Sequence, residues 1–242
     1  MASLNMSIEA INNRIKNMVD RREEIFYEGI DNYHVRLMKG NSKTGVNCYT
    51  VSLIPGADCP NCTECLKTCY DIRNVCWLPN VAEQRSINSA IHKYDLERFW
   101  KEIDIQIKAM YVQELRINVG GDLTEKDFPW VDLIGIHNPI CHILFFTKNY
   151  KGINNYLDRY GDFPKNVHAI MSAWIGMEMD NSHNLPVAHV LWKDGTTTAF
   201  DFSAKFCGGN CSECFHHKLT GDKANGGCWT MEKGDAVIFN CH

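Results

Sequence analysis

The sequence predicts an α/β fold: a partial (β/α) barrel with mostly parallel strands, an N-terminal helix and a cysteine-rich C-terminal loop region. Three observations point there. Apolar stretches ending in glycine, acidic or polar residues ("ELRINVGGD", "HILFFTKN", "NVHAIMSAWIG") recur through the middle of the chain. Helical patterns separate them, and near-continuous apolar strands alternating with helices indicate a parallel sheet covered on both faces. The cysteines gather in two groups, one early and one late. We expect a single domain over residues 1–242, with a helix over 1–30, the barrel-like core over 31–180 and the cysteine-rich strand and loop region over 181–242.

In chain order, Ile8, Ile11, Ile15, Met18, Val19 and Phe26 recur at helical spacing among charged residues, an amphipathic lead-in helix over 7–29. "YHVRLMKG" and "NCYTVSLIP" read as strands, the second stopped by Pro55-Gly56. Val81 to Met110 reads as two helices, divided near "HKYD" by Asp95 acting as an N-cap. The three apolar strands follow, with helices near 127–137 and 151–160 between them. Pro129 is tolerable in the first turn of the former. "VAHVLW", "TTAFDF" and "AVIFNC" read as short late strands, and "CGGNCSECFHHKLTGDKANGGCW" as a glycine-rich loop.

The chain has 242 residues, 45% hydrophobic and 22% charged, enough to bury a core without covalent staples. Its N-terminus shows no apolar signal-peptide core and no apolar run approaches membrane-spanning length, so we expect a cytoplasmic protein with no membrane partner. A net charge of −4 makes nucleic acid an unlikely ligand, because such binders carry a basic patch. Twelve cysteines in a reducing compartment favour metal over disulfides, since soft thiolates select zinc, copper(I) or iron–sulfur clusters.

The first group, "CPNCTECLKTCY", spaces Cys59, Cys62, Cys65 and Cys69 as C-x2-C-x2-C-x3-C. Bacterial ferredoxins use this run for iron–sulfur clusters, although Tyr70 stands here where proline usually follows. Zinc would favour paired knuckles from two loops, so a [4Fe-4S] cluster is the leading expectation and zinc its rival. In the second group Cys207, Cys211 and Cys214 read C-x3-C-x2-C, with Cys228 as a fourth thiol. Three cysteines so spaced can hold a [4Fe-4S] cluster with one open iron, the arrangement that binds S-adenosylmethionine in radical enzymes. One or two clusters are therefore expected, and the two groups could also converge on one.

Function in barrel-type sheets gathers at the C-terminal strand ends. Those ends present Gly120, Gly121 and Asp122, then Thr147 and Lys148, then Ser172, the candidate residues for a cofactor or substrate. The glycine pair resembles the Gly-Gly-Glu-like strand end that meets the amino group of S-adenosylmethionine. The plain reading is a glycine turn, with "TEKD" forming a capping box for the next helix. Cys141 and His142 head an apolar strand, where a buried cysteine is the default. His216 and His217 read as an exposed pair.

"GNSKTG" (40–45), a strand, "CPNCTECLKTCY", an arginine-bearing helix, "GGD", "FFTKN" and the late "CGGNCSEC" with Cys228-Trp229 follow one another in an order that resembles the phage "gene product 88" family. The resemblance covers about residues 38 to 230. It implies a C-x5-C-x3-CY run at Cys59, Cys65, Cys69 and Tyr70, with Cys62 additional, and matches at Gly121-Asp122 and Thr147-Lys148. It implies a fold and a cluster, not a reaction. Two functions stay open: an iron–sulfur enzyme related to radical S-adenosylmethionine chemistry, acting on a small molecule or a protein, or a non-catalytic interaction module braced by zinc or closed clusters.

Overall fold

The structure, a computed structural model, describes residues 7–40, 44–62, 64–74, 78–199 and 204–240. Residues 41–43 of "GNSKTG", Cys76, Cys241 and the last three residues of "TTAFDF" lie outside them.

Helix α1 (Ile8–Gly29) starts where Ser7 Oγ accepts from the Ala10 amide at 3.1 Å, and it buries Ile11, Met18, Arg22 and Ile25 along one face. Strands β1 (Met38–Lys39) and β2 (Tyr49–Val51) are shorter than the sequence pattern suggests. The cause lies in side chains that satisfy the backbone ahead of β1. Glu102 accepts from Val35 N at 2.7 Å, and Gln106 both accepts from Leu37 N at 3.1 Å and donates to Val35 O at 2.8 Å. With those groups occupied, no ladder is needed.

Helices α2 (Tyr70–Asn74), α3 (Pro79–Tyr94) and α4 (Leu96–Ala109) come next. Asp95 divides the last two as the sequence indicates, its carboxylate accepting from Arg98 N at 3.1 Å. Then β3 (Glu114–Ile117), α5 (Phe128–His137), β4 (His142–Thr147), α6 (Tyr150–Tyr160), β5 (Val167–Ser172) and β6 (Val187–Leu191) alternate as expected. The chain ends with β7 (Lys205–Phe206), α7 (Cys211–Leu219) and β8 (Ala236–Asn240).

All eight strands form one sheet in the order β1-β2-β3-β4-β5-β6-β8-β7. Every neighbouring pair is parallel except β1 with β2, and the sheet is open. Consecutive strands lie side by side from β2 to β6, so the crossing helices collect on one face. There Leu115, Ile117, Ile143, Phe145, Ala169 and Met171 pack against Ile91, Phe99, Trp100, Ile103, Phe128, Val131, Ile153 and Leu157. The opposite face meets the cysteine-rich segment instead: Leu144, Ile170, Ala188 and Val237 pack with Phe215, Trp229 and the late cysteines. The first turn of α7 is tied to the β1–β2 connection, where Ser212 N donates to Thr44 O at 3.1 Å.

The expected glycine-rich loop after Cys207 contains helix α7 over Cys211–Leu219. Asn210 caps it, its carbonyl accepting from Glu213 N at 3.2 Å, and His216, His217 and Lys218 occupy its last turn, where cations suit the helix dipole. No helix among the described residues is long and apolar enough to cross a membrane.

Candidate functional site

The C-terminal ends of the parallel strands surround a cavity of about 450 Å³. The first cysteine loop leaves β2 and forms one wall, contributing Cys59, Cys62, Cys65 and Cys69. Its shape is set locally. Cys62 N donates to Cys59 O at 3.1 Å, and a 3-10 turn over Glu64–Thr68 delivers Cys69 to the start of α2. Gly56 N donates to Cys59 Sγ at 3.3 Å, and the amides of Ile72 and Asp71 are directed at the Cys69 sulfur. Backbone donors aimed at sulfur stabilise thiolate and thiolate–metal bonds. Contact with Cys59 and Cys65, then burial, pushes the Cys62 thiol far up; burial, then Asp71, pushes Cys69 up to about 12. Packed together, such thiols ionise only when a cation enters among them.

The loop is braced from three sides. Arg22 of α1 donates to Asp58 Oδ1 at 3.2 Å, while Asp58 accepts from Ile54 N at 2.8 Å. Asn61 Nδ2 donates to Lys148 O at 2.9 Å, tying the loop to the end of β4. Beneath it lies a buried bidentate pair between Arg85 of α3 and Asp71, with Arg85 Nη2 2.7 Å from Asp71 Oδ1.

Of the strand-end candidates, Gly120, Gly121, Asp122, Lys148 and Ser172 line the cavity. Gly120 presses on the Arg85–Asp71 pair: a Cβ there would fall 2.8 Å from Asp71 Cγ and nearer still to Arg85 Nη1 and Asp71 Oδ2. Gly121 has φ +84° and sits against Leu53. Close packing thus accounts for both glycines. Asp122 is buried and accepts from Leu123 N at 2.7 Å and Lys148 N at 2.8 Å, joining the ends of β3 and β4. Burial raises its pKa, opposed by the Lys148 amide. Thr147 is buried outside the cavity wall, its Oγ1 accepting from Asn149 N at 2.9 Å, so it supports rather than lines the site. Lys148 Nζ stands 4.7 Å from the Trp174 ring centroid, a cation–π contact at the cavity wall. In the "TEKD" turn Asp127 Oδ2 accepts from Thr124 N at 2.7 Å, but α5 begins only at Phe128 with no side-chain bond at its N-cap, so the expected capping box closes the turn ahead of the helix instead.

The second cysteine group leaves β7. Cys207 and Cys211 reach the same cavity, whereas Cys214 and Cys228 line only a second, larger one of about 880 Å³ on the other side. Between the two groups stands Arg116, which the sequence reading passed over. It lies on the inner face of β3, lines both cavities, stacks 4.9 Å from the Phe146 ring centroid and donates from Nη1 to Cys211 Sγ at 3.7 Å. Burial works against its charge, but Cys211, then Cys48 and Cys228, more than offset it and raise its pKa. The one signal for it in the sequence is polar Glu114 and Arg116 alternating with apolar Leu115 and Ile117 in a strand meant to be covered on both faces.

Elsewhere, Cys141 is buried, as its position suggests, and His216 is exposed. No disulfide joins the described cysteines. Among the described residues no three Cys, His, Asp or Glu side chains are grouped as ligands of a single metal ion. The donor set is nonetheless soft and nitrogen-supported, and its chemistry fits iron–sulfur or zinc better than a hard cation.

Fold and site together define an α/β protein with a thiol-walled cavity at the C-terminal edge of a mostly parallel sheet. No family model, curated protein or solved structure matches the chain.

Proposed function

We propose that this is an iron–sulfur protein whose first cysteine loop holds a [4Fe-4S] cluster facing the 450 Å³ cavity through Cys59, Cys65 and Cys69, with Cys62 beside them as an additional thiol and one iron left open, and that it is an enzyme of the radical S-adenosylmethionine type. The observation that carries the reading is the shared wall: the four thiols and the strand-end residues Gly120, Gly121, Asp122, Lys148 and Ser172 line one cavity. The open sheet, with strands in sequential order from β2 to β6, is then a partial (β/α) barrel, which uses this edge for chemistry. The phage-family resemblance agrees with a cluster at Cys59, Cys65 and Cys69, and a cytoplasmic setting would keep the thiols reduced.

Cys59, Cys65 and Cys69 would hold the cluster, which when bound would supply one-electron chemistry to a molecule in the cavity. The protein's own share is positioning. Asn61 and Asp122 fix the loop and the β4 end relative to each other, Lys148 offers a cation for an anionic group, and Trp174, Phe146 and Phe239 supply apolar wall that excludes water.

The test is iron, zinc and acid-labile sulfide analysis, with a visible spectrum, on full-length protein purified without oxygen. About four irons and four sulfides per cluster, lost in Cys59→Ser/Cys65→Ser, are expected. Zinc without sulfide or colour at this loop would overturn the reading in favour of a braced, non-catalytic module.

A further inference from the structure

We propose that Cys207, Cys211, Cys214 and Cys228 build a second, separate thiolate–metal centre in the 880 Å³ cavity, with Arg116 as its counter-cation and positioning residue. This goes beyond the reading above and does not depend on it, since none of these residues belongs to the first loop.

The four sulfurs arrive on three short segments, each fixed. Cys207 leads out of β7, and Gly209 N donates to its sulfur at 3.4 Å. Cys211 and Cys214 occupy the first turn of α7, three residues apart and so on the same side of the helix. Cys228 follows Gly227, where the chain passes close to Cys214. A Cβ at position 227 would lie 2.8 Å from Cys214 Sγ, and φ there is +52°. A side chain would fill the space through which the two thiols face each other. Trp229 Nε1 donates to Cys211 O at 2.9 Å, locking that turn to the first turn of α7. All four cysteines line the 880 Å³ cavity, and metal entry would draw their sulfurs together, since without it no three among the described residues are grouped as ligands of one ion.

Arg116 supplies the independent observation. Its Nε is enclosed without a hydrogen-bond partner, and among the described residues no carboxylate pairs with it. Its contacts are Cys211 Sγ and the Phe146 face. A guanidinium whose Nε is buried without a partner and whose one polar contact among the described residues is a sulfur favours negative charge on that sulfur. Four thiolates around a dication, or around a [4Fe-4S] core of charge +2, carry a net charge of −4 + 2 = −2 and supply that charge. Four neutral thiols do not. The alternative of one merged site fits less well, because Arg116, Phe146 and Phe239 stand on the wall shared by the two cavities, and Cys214 and Cys228 line only the larger.

The experiment uses full-length protein purified without oxygen, comparing wild type with Cys214→Ser/Cys228→Ser, Cys59→Ser/Cys65→Ser, Arg116→Gln and Arg116→Lys. The readouts are iron, zinc and sulfide per chain, release of metal to a chelator, and the urea midpoint. Cys214→Ser/Cys228→Ser should lose one centre and keep the other, while Cys59→Ser/Cys65→Ser should keep this one. Sulfide in the retained centre identifies a cluster, and zinc alone identifies a mononuclear site; both support the proposal. Arg116→Gln should weaken retention of this centre about tenfold or more, as loss of an outer partner does, with Arg116→Lys recovering part of it. Should the double serine variant fail to fold, the arginine pair carries the same test. Unchanged metal content in a folded Cys214→Ser/Cys228→Ser protein would overturn the proposal. So would Arg116→Gln shifting only the urea midpoint while metal release stays at the wild-type rate. Loss of metal at the first loop's variants alone would support the first site and refute this one.

Discussion

Gly120→Ala separates a glycine kept for packing from one kept for a ligand. The added Cβ would sit 2.8 Å from Asp71 Cγ and overlap Arg85 Nη1 and Asp71 Oδ2. Neither partner can retreat. Both side chains are at most 6% exposed, and Arg85 is also bonded from Nη1 to Leu53 O at 3.3 Å. Nor can the backbone give way easily, since Gly120 O accepts from Leu53 N at 2.9 Å. The methyl must therefore pull apart a buried ion pair, which costs about 3–5 kcal/mol. Restricting the unfolded chain returns about 0.4–1 kcal/mol, leaving a net loss of about 2–4 kcal/mol. Urea unfolding followed by tryptophan fluorescence measures it, with Gly161→Ala as control. Gly161 has φ +81° and nothing within 4 Å of its Cβ position, so that variant shows backbone strain alone, about 1–3 kcal/mol. A loss for Gly120→Ala below about 1 kcal/mol, together with abolished S-adenosylmethionine binding, would refute the packing argument and assign the glycine to ligand approach.

Asp122→Ala removes the acceptor for Leu123 N and Lys148 N, and should destabilise by about 1–3 kcal/mol in thermal or urea unfolding. Asp122→Asn, which keeps one carbonyl acceptor, should lose less. Asn61→Ala unties the cysteine loop from Lys148 O and should speed metal loss from the first centre to a chelator while moving the urea midpoint little, because the bond joins two strand-end loops. Acid should weaken the fold through the histidine pair at the lower edge of the sheet. His142 Nδ1 lies 3.1 Å from His168 Nε2, and Lys218 Nζ of α7 lies 2.7 Å from His142 Nδ1. Burial, then Lys218, lowers His142 to about 4 and His168 to about 3. The unfolded chain therefore binds more protons below about pH 6.5, so stability is full above that pH and falls as pH drops toward 4. The urea midpoint of wild type should fall more steeply between pH 7 and 4.5 than that of His168→Phe. Parallel slopes would remove these histidines as the cause.

Much of the fold was legible because period and punctuation agree with tertiary structure: α3, α4 and Asp95 between them, and the β3 to β5 alternation, follow the sequence pattern. Three features were not. The stretch before β1 alternates like a strand, yet Glu102 and Gln106, nearly 70 residues away, take its backbone bonds. No local pattern encodes such a partner. Helix α7 was hidden by the cysteines and glycines around it, although Asn210, Glu213 and Lys218 are ordinary start and stop signals for a helix. Arg116 was hidden because an arginine in a strand reads as solvent-facing, and the sequence does not say that the cysteine-rich segment covers that face.

The covering of that face explains how thiols reach this sheet. Sequential strands send every crossover helix to one side, where apolar side chains from α3, α4, α5 and α6 fill most of the space and the few buried charges, Asp127 and the Arg85–Asp71 pair, are hydrogen-bonded within the protein. The other side is closed late in the chain by a segment of loops and one short helix, whose glycines and N-terminal turn bring sulfur and backbone N–H groups rather than leucine and isoleucine to the sheet. Polar strand residues on this side, such as Arg116, therefore meet polarisable partners. A chain whose inner face were covered by an eighth apolar helix would have to replace Arg116 with an apolar residue, since a guanidinium packed against leucine and isoleucine would lose its polar contact with Cys211. A double-mutant cycle on Cys211 shows this. Cys211→Ala removes the sulfur that Arg116 Nη1 donates to, so Arg116→Met should cost less stability in the Cys211→Ala background than in wild type. Additive losses in that double-mutant cycle would mean that the arginine and the thiol do not depend on each other.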